Sequence, residues 1–172
     1  MLGTGRERLL IDTAEGKPVW IETLKALLES EKAVITKALI THFHHDHVGG
    51  IADLRKLSPT TVFYKNTPDE GQVNIEDGMD FSVEGANLMA VHTPGHAPDH
   101  MCFLLNEENA IFTGDNVLGH GTTVFTDLKE YMDSLDRMLQ LRPDRAYPAQ
   151  SRSVETKARA QRPPICPPPD EL

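Results

Sequence analysis

Cysteine is scarce in this chain: two residues in 172, Cys102 and Cys166, far apart. So few thiols exclude a disulfide framework, and a reducing, cytoplasmic setting is the default reading. Cys102 sits between Met101 and Phe103 in an apolar run and reads as a small buried hydrophobe. Positive charge is also short, with 17 Lys and Arg against 26 Asp and Glu, a formal charge of −9. That balance argues against general nucleic-acid or anionic-membrane binding. No apolar run is long enough for a membrane span, and the N-terminus has no signal-type stretch. No internal repeat is present, and no serine or cysteine stands in a convincing nucleophilic triad. With 39% hydrophobic residues, the chain still has material for one globular core.

Apolar runs at 8–12, 37–41, 61–64, 100–105 and 110–115 read as strands. Asp77-Gly78 and Glu84-Gly85 mark turns between short strands, and the two runs around "NEEN" read as a hairpin. Pro18 opens a helix with Trp20, Leu24, Leu27 and Leu28 on its apolar face. Residues 49–57 carry Ile51, Leu54 and Leu57 at helical spacing. Thr126 and Asp127 cap a third helix with the stripe Leu128, Tyr131, Met132, Leu135, Met138 and Leu139. Strands alternating with helices predict a layered α/β fold for residues 1–150. Residues 151–172 hold five prolines and no periodicity, and read as a disordered tail.

Four of the eight histidines fall within positions 42–47, in "THFHHDHVGG". Imidazole nitrogen and carboxylate oxygen are standard zinc ligands. In an extended segment His42 and His44 point the same way and can grip one ion. Asp46 and His47 follow where the chain turns and can face a second ion, while His45 should point away. The glycines Gly49 and Gly50 let the backbone turn sharply. Four ligands do not fill two tetrahedral ions. His96, after a Pro-Gly turn in "HTPGH", and Asp115, ending the strand "FTGD", are the further candidates. A carboxylate at 115 can bridge two cations.

"THFHHDHVGG", "TPGH" and "TGD", in this order, resemble the metallo-β-lactamase superfamily over about residues 3–149. "DHMCFLL", "AIFTGDNVLGHGTTVF" and "VFYKN" are similar to one branch of it, the β-lactamase-like endoribonucleases and the fungal polyketide thioesterases. The resemblance implies an αββα sandwich, incomplete here. It implies a first zinc on His42, His44 and His96, a second on Asp46 and His47, and Asp115 as the bridge. Two such ions about 3.5–4 Å apart would activate a water, with Asp46 moving its proton as the catalytic acid or base. His120, in "LGHGTT", is the expected substrate contact. His92 and His100 are expected to support the site, and Asp12, Asp99 and Tyr147 to orient ligands from behind.

The pattern breaks at one end. The family supplies a further histidine in a "P-G-H-G" or "P-A-H-G" loop, where this chain has "YPAQSRS" and Gln150. Glutamine is a poor zinc ligand beside imidazole, so the second position should be weakened. The abrupt change after about Ala149 reads as a gene-model or splicing error, and a family strand preceding "LGTG" is lacking. The functional expectation is a zinc-dependent thioesterase acting on an acyl chain held by a carrier protein. The alternatives are a metal-dependent endoribonuclease of the same branch and a degenerate, non-catalytic metal-binding remnant.

Overall fold

A computed structural model describes residues 1–150 and the backbone of residues 154–155. Chain order begins with β1 (Glu7–Ile11), α1 (Pro18–Glu31), β2 (Val34–Ile40), α2 (His45–Val48), α3 (Ile51–Leu57), β3 (Val62–Lys65) and β4 (Val73–Asn74). It continues with β5 (Asp80–Val83), β6 (Ala86–His92), β7 (Met101–Leu105), β8 (Ala110–Gly114), α4 (Leu128–Gln140), β9 (Arg145–Pro148) and β10 (Val154–Glu155). A single 3₁₀ turn, Asn106–Glu108, joins β7 to β8 as the expected hairpin. The expectation of a disordered tail falls on residues outside the described set, apart from Val154–Glu155, which pair antiparallel with β9.

Two sheets result. The first, β1-β2-β3-β4, is parallel throughout, and the second runs β10-β9-β8-β7-β6-β5. Side-chain alternation along each strand explains the layering. On β7, Met101, Phe103 and Leu105 join Leu9, Leu39 and Phe81 in a core between the sheets. The intervening Cys102 faces the other way, against Val91, Ile111 and Met138 of α4. On β1, Leu9 points inward while Leu10 packs outward with Leu24, Leu28, Leu54 and Phe63, under α1 and α3. Strands buried on both faces read as unbroken apolar runs, so the sequence shows no alternation there. The layers are helices, sheet, sheet, helix: the αββα sandwich.

Three expectations need correction. Leu27 is 39% exposed, and Ile21 takes its place beside Trp20 against the core. On α4 only half of the stripe meets the sheet. Leu128, Met132 and Leu139 are 49–72% exposed, because they lie roughly 80–120° around the helix from Met138, beyond what one sheet covers. Asp127 alone caps α4, accepting from the Glu130 amide at 2.9 Å. Thr126 instead donates its hydroxyl to the Gly95 carbonyl at 3.0 Å, tying the start of α4 to the loop that carries His96.

Cys102 is fully buried, and burial pushes its thiol up to about 12, against a hydrogen bond from Thr93 that works the other way. Reactivity needs the thiolate. Iodoacetamide at pH 8 should therefore leave Cys102 unmodified in the native protein and label it fully in urea, as read by peptide mass mapping.

Candidate metal centre

The centre lies at one end of the sandwich, where three connections converge. β2 ends at Ile40 and leads through Thr41 to His44, which is itself extended and is the N-cap of the one-turn helix α2. This turn brings Asp46 and His47 round beside His42. The loop after β6 delivers His96, and the end of β8 delivers Asp115. His42, His47 and Asp115 are buried, His96 is 7% exposed, and His44 and Asp46 are half-buried. His45 is exposed, as expected.

Three ring nitrogens meet at one point. His42 Nε2 lies 2.8 Å from His44 Nδ1, His96 Nε2 lies 3.0 Å from His44 Nδ1, and His96 Nε2 lies 3.2 Å from His42 Nε2. Beside them His42, His47 and Asp115 form a second convergent group. His47 Nε2 is 3.4 Å from Asp115 Oδ1 and 3.5 Å from Asp46 Oδ2. Asp46 therefore stands at the rim of the second group, and its Oδ2 already accepts a hydrogen bond from Gln150 Nε2 at 2.9 Å.

Outer partners fix which nitrogen faces inward. His96 Nδ1 donates to the Val124 carbonyl at 2.7 Å, leaving Nε2 for the centre. His47 Nδ1 donates to Asp12 Oδ2 at 2.7 Å, again leaving Nε2 inward. Thr41 Oγ1 gives its proton to Asp12 Oδ2 at 2.9 Å, so it can accept from His42 Nδ1 at 3.0 Å. This is how proteins hold metal-binding imidazoles, with the outward nitrogen satisfied and the inward lone pair free. Asp12 does so from a left-handed backbone conformation (φ 56°), which folds its carboxylate back onto Thr41 and His47. Aspartate tolerates that region better than most residues.

Charge follows the same division. Burial, and then the neighbouring imidazoles, push His42 far below the usual histidine range and lower His44. His42 and His44 are thus held as neutral donors. His47 behaves oppositely: burial works against its charge, but the adjacent Asp115 carboxylate and the hydrogen-bonded Asp12 outweigh it and raise it to about 10. Asp115 is lowered, the adjacent His47 imidazole overcoming burial. The space between these carboxylates demands positive charge. The fit to divalent ions rests on two observations. Buried His47 Nε2 and Asp115 Oδ1 have no hydrogen-bond partner among the described residues. The three nitrogens stand close to the ~3.3 Å spacing that tetrahedral coordination at about 2.0–2.1 Å gives.

His100 supports the centre from beneath. It is fully buried, and burial lowers it to about 3, so it is neutral. Its Nε2 accepts from the Asp115 backbone amide at 3.1 Å, and its Nδ1 meets Thr93 Oγ1 at 3.0 Å. Gly114, at φ 51°, lets β8 pass this ring; a Cβ there would lie 2.6 Å from His100 Nε2. The other supporting candidates make no hydrogen bond to the ligands among the described residues. His92 Nε2 meets the Pro98 carbonyl at 3.0 Å. Asp99 pairs with Lys65 Nζ at 2.9 Å. Tyr147 stacks on Phe112 and donates to Glu108 Oε2 at 2.5 Å. His120 is exposed on the loop between β8 and α4. Gly49 and Gly50 have ordinary negative φ. Their role is close approach, not a sharp turn: a Cβ on Gly50 would meet the Trp20 ring at 2.5 Å and one on Gly49 the Glu15 carbonyl at 2.5 Å. A cleft of about 580 Å³ opens beside the second group, lined by Trp20, Phe112 and Tyr147 as well as Asp46, His47 and Gln150.

Sequence reasoning did not find Thr41, Val124 or Thr93. A carbonyl such as Val124's carries no side-chain signature, whereas Thr41 stands next to the histidine tract and was open to reading.

Comparison with known proteins places this geometry. The family model described as the metallo-beta-lactamase superfamily matches residues 1–70 and 62–150. Lactamase-like protein aptB of Emericella nidulans is 52% identical over 157 residues, covering 90% of this chain and 51% of that protein. Lactamase-like protein adaB of Aspergillus niger is 54% identical over 157 residues, with 90% and 50% covered. The chain thus spans about half the length of the curated relatives it matches. Among solved structures, metallo-beta-lactamase family protein TTHA1429 from Thermus thermophilus superposes with a TM-score of 0.76 at 23% identity, covering 92% of this chain and 69% of that one. TTHA1623, solved in a di-iron-bound form, gives 0.71 at 25% identity, with 90% and 87% covered.

Proposed function

The chain belongs to the metallo-beta-lactamase superfamily, and from that premise we propose that it carries the metal centre of a hydrolase acting on acyl thioesters, the acyl group being a polyketide on a carrier protein. The observation that carries the reading is the convergence of His42 Nε2, His44 Nδ1 and His96 Nε2 beside His47 and Asp115. His42, His44 and His96 would hold one divalent ion; His47, Asp115 and Asp46 would hold a second, with Asp115 between the two. Three imidazoles suit zinc, and iron also takes imidazole ligands; the similar TTHA1623 was solved in a di-iron-bound form. A bound divalent cation supplies Lewis acidity toward a carbonyl oxygen and makes water acidic enough to react near neutral pH.

The protein's own groups do the rest. Asp46, half-exposed at the rim, is placed to take a proton from water and hand it to the leaving group. Asp12, Thr41 and the Val124 carbonyl keep the imidazoles in one tautomer. The cleft beside Trp20, Phe112 and Tyr147 offers an apolar wall of the size that small-molecule sites use. That wall favours an acyl chain over a polynucleotide, as does the net charge of −9. His120 is the proposed substrate contact on the neighbouring loop. A cytoplasmic setting completes the proposal; among the described residues no helix is long and apolar enough to cross a membrane.

The test is turnover of an acyl-N-acetylcysteamine thioester and of a single-stranded RNA, each with and without chelator. Chelator-sensitive thioester cleavage with no RNA cleavage is expected. RNA cleavage alone would move the assignment to an endoribonuclease, and cation binding without either activity would move it to a non-catalytic remnant.

A further inference from the structure

The two groups of ligands differ in kind. One consists of three imidazoles whose inward nitrogens stand within 3.2 Å of one another. Among the described residues, none of the three inward nitrogens meets an amide or hydroxyl donor. The other group is oxygen-rich, and one of its oxygens is engaged. Gln150 lies just beyond β9 and reaches 104 positions back along the chain to donate Nε2 to Asp46 Oδ2 at 2.9 Å. The amide must face this way, since Oε1 turned to the carboxylate would set acceptor against acceptor. In this orientation the Gln150 atom facing Asp46 carries no lone pair for a metal, and it competes with any cation for Asp46. A neutral amide is a weak zinc ligand beside imidazole in any case.

We infer that the two cation positions are unequal: the His42–His44–His96 position loads first and tightly, and Gln150, through its hydrogen bond to Asp46, keeps the His47–Asp115 position weak. This rests on the metal-centre reading above and deepens it. Gln150 sets the affinity of the second position without being a ligand of it.

The experiment is calorimetric titration of the full, chelator-stripped chain with Zn²⁺, paralleled by Co²⁺ titration read from visible absorption. Neither readout requires turnover. The wild type should show one tight event and a second at least about tenfold weaker, the scale on which outer hydrogen bonds alter metal affinity. Gln150→His should tighten the second event by about tenfold or more and leave the first unchanged. Gln150→Ala, which frees Asp46 without adding a ligand, should tighten the second event. Two equally tight events in the wild type would overturn the inference, even if the histidine variant failed to fold. An unchanged second event in Gln150→Ala would also overturn it, because the hydrogen bond would then carry no weight, and a weaker one would show the amide acting as a ligand. Absence of the first event would reject the metal centre itself, a separate failure.

Discussion

Alanine at position 42 should abolish tight cation binding and cut chelator-sensitive hydrolysis by about 10³-fold, the equivalent of roughly 4 kcal/mol of lost electrostatic stabilisation. His42 is the hub of the site. It is fully buried, and its ring belongs to both convergent groups. No other donor can move in, because His44 and His96 already point at the same spot and their backbones are held on opposite sheets. Metal content by mass spectrometry, turnover, and far-UV circular dichroism would be measured together. Unchanged zinc content in a folded His42→Ala protein would be incompatible with the site as described. His45→Ala is the control: an exposed neighbour in the same tract, expected to change none of these readouts.

Lys65→Met should destabilise the fold by about 3–5 kcal/mol, the cost of leaving one member of a buried ion pair alone. Lys65 Nζ and Asp99 Oδ2 are 2.9 Å apart with both side chains 4% exposed. Lys65 also donates to the Thr67 carbonyl at 2.8 Å, whereas neither Asp99 oxygen has another hydrogen-bond partner among the described residues. Removing the cation therefore strands a carboxylate in the interior. Asp99 sits between His96 and His100, so the pair pins the histidine-bearing loop of the second sheet onto β3 of the first. Urea unfolding would measure the loss. Lys65→Met combined with Asp99→Leu should recover most of it, since a pair of apolar residues needs no compensation. A single-variant cost below about 1 kcal/mol would mean that water reaches Asp99.

These two cases mark how much the sequence disclosed. The site residues at 42–47, 96 and 115 were readable because ligand chemistry is local: a strand end, a tight turn and a dense run of imidazoles are visible in a few adjacent letters. The layered α/β class was readable from the order of apolar runs and helical stripes, whereas the two-sheet sandwich was implied only by the resemblance of the motifs. The Lys65–Asp99 pair was not, because nothing near Lys65 in the chain announces a partner on the other sheet. Asp99 reads from the sequence as one more carboxylate orienting a ligand, and nothing in its neighbourhood tells of the cation across the interface. The apolar stripe on α4 gave the helix correctly but not its burial, since hydrophobicity reports what could be covered and packing decides what is. Gly49 and Gly50 signalled a constraint, but only the arrangement of Trp20 and Glu15 tells which one.

His42 and His96 leave different sheets and stand 54 positions apart. Bringing them together costs loop-closure entropy that no local contact repays, so the encounter belongs late in folding. A cation consequently cannot seed this architecture. It can only arrest its opening, which makes the bound ion a brake on unfolding rather than a guide to the native state.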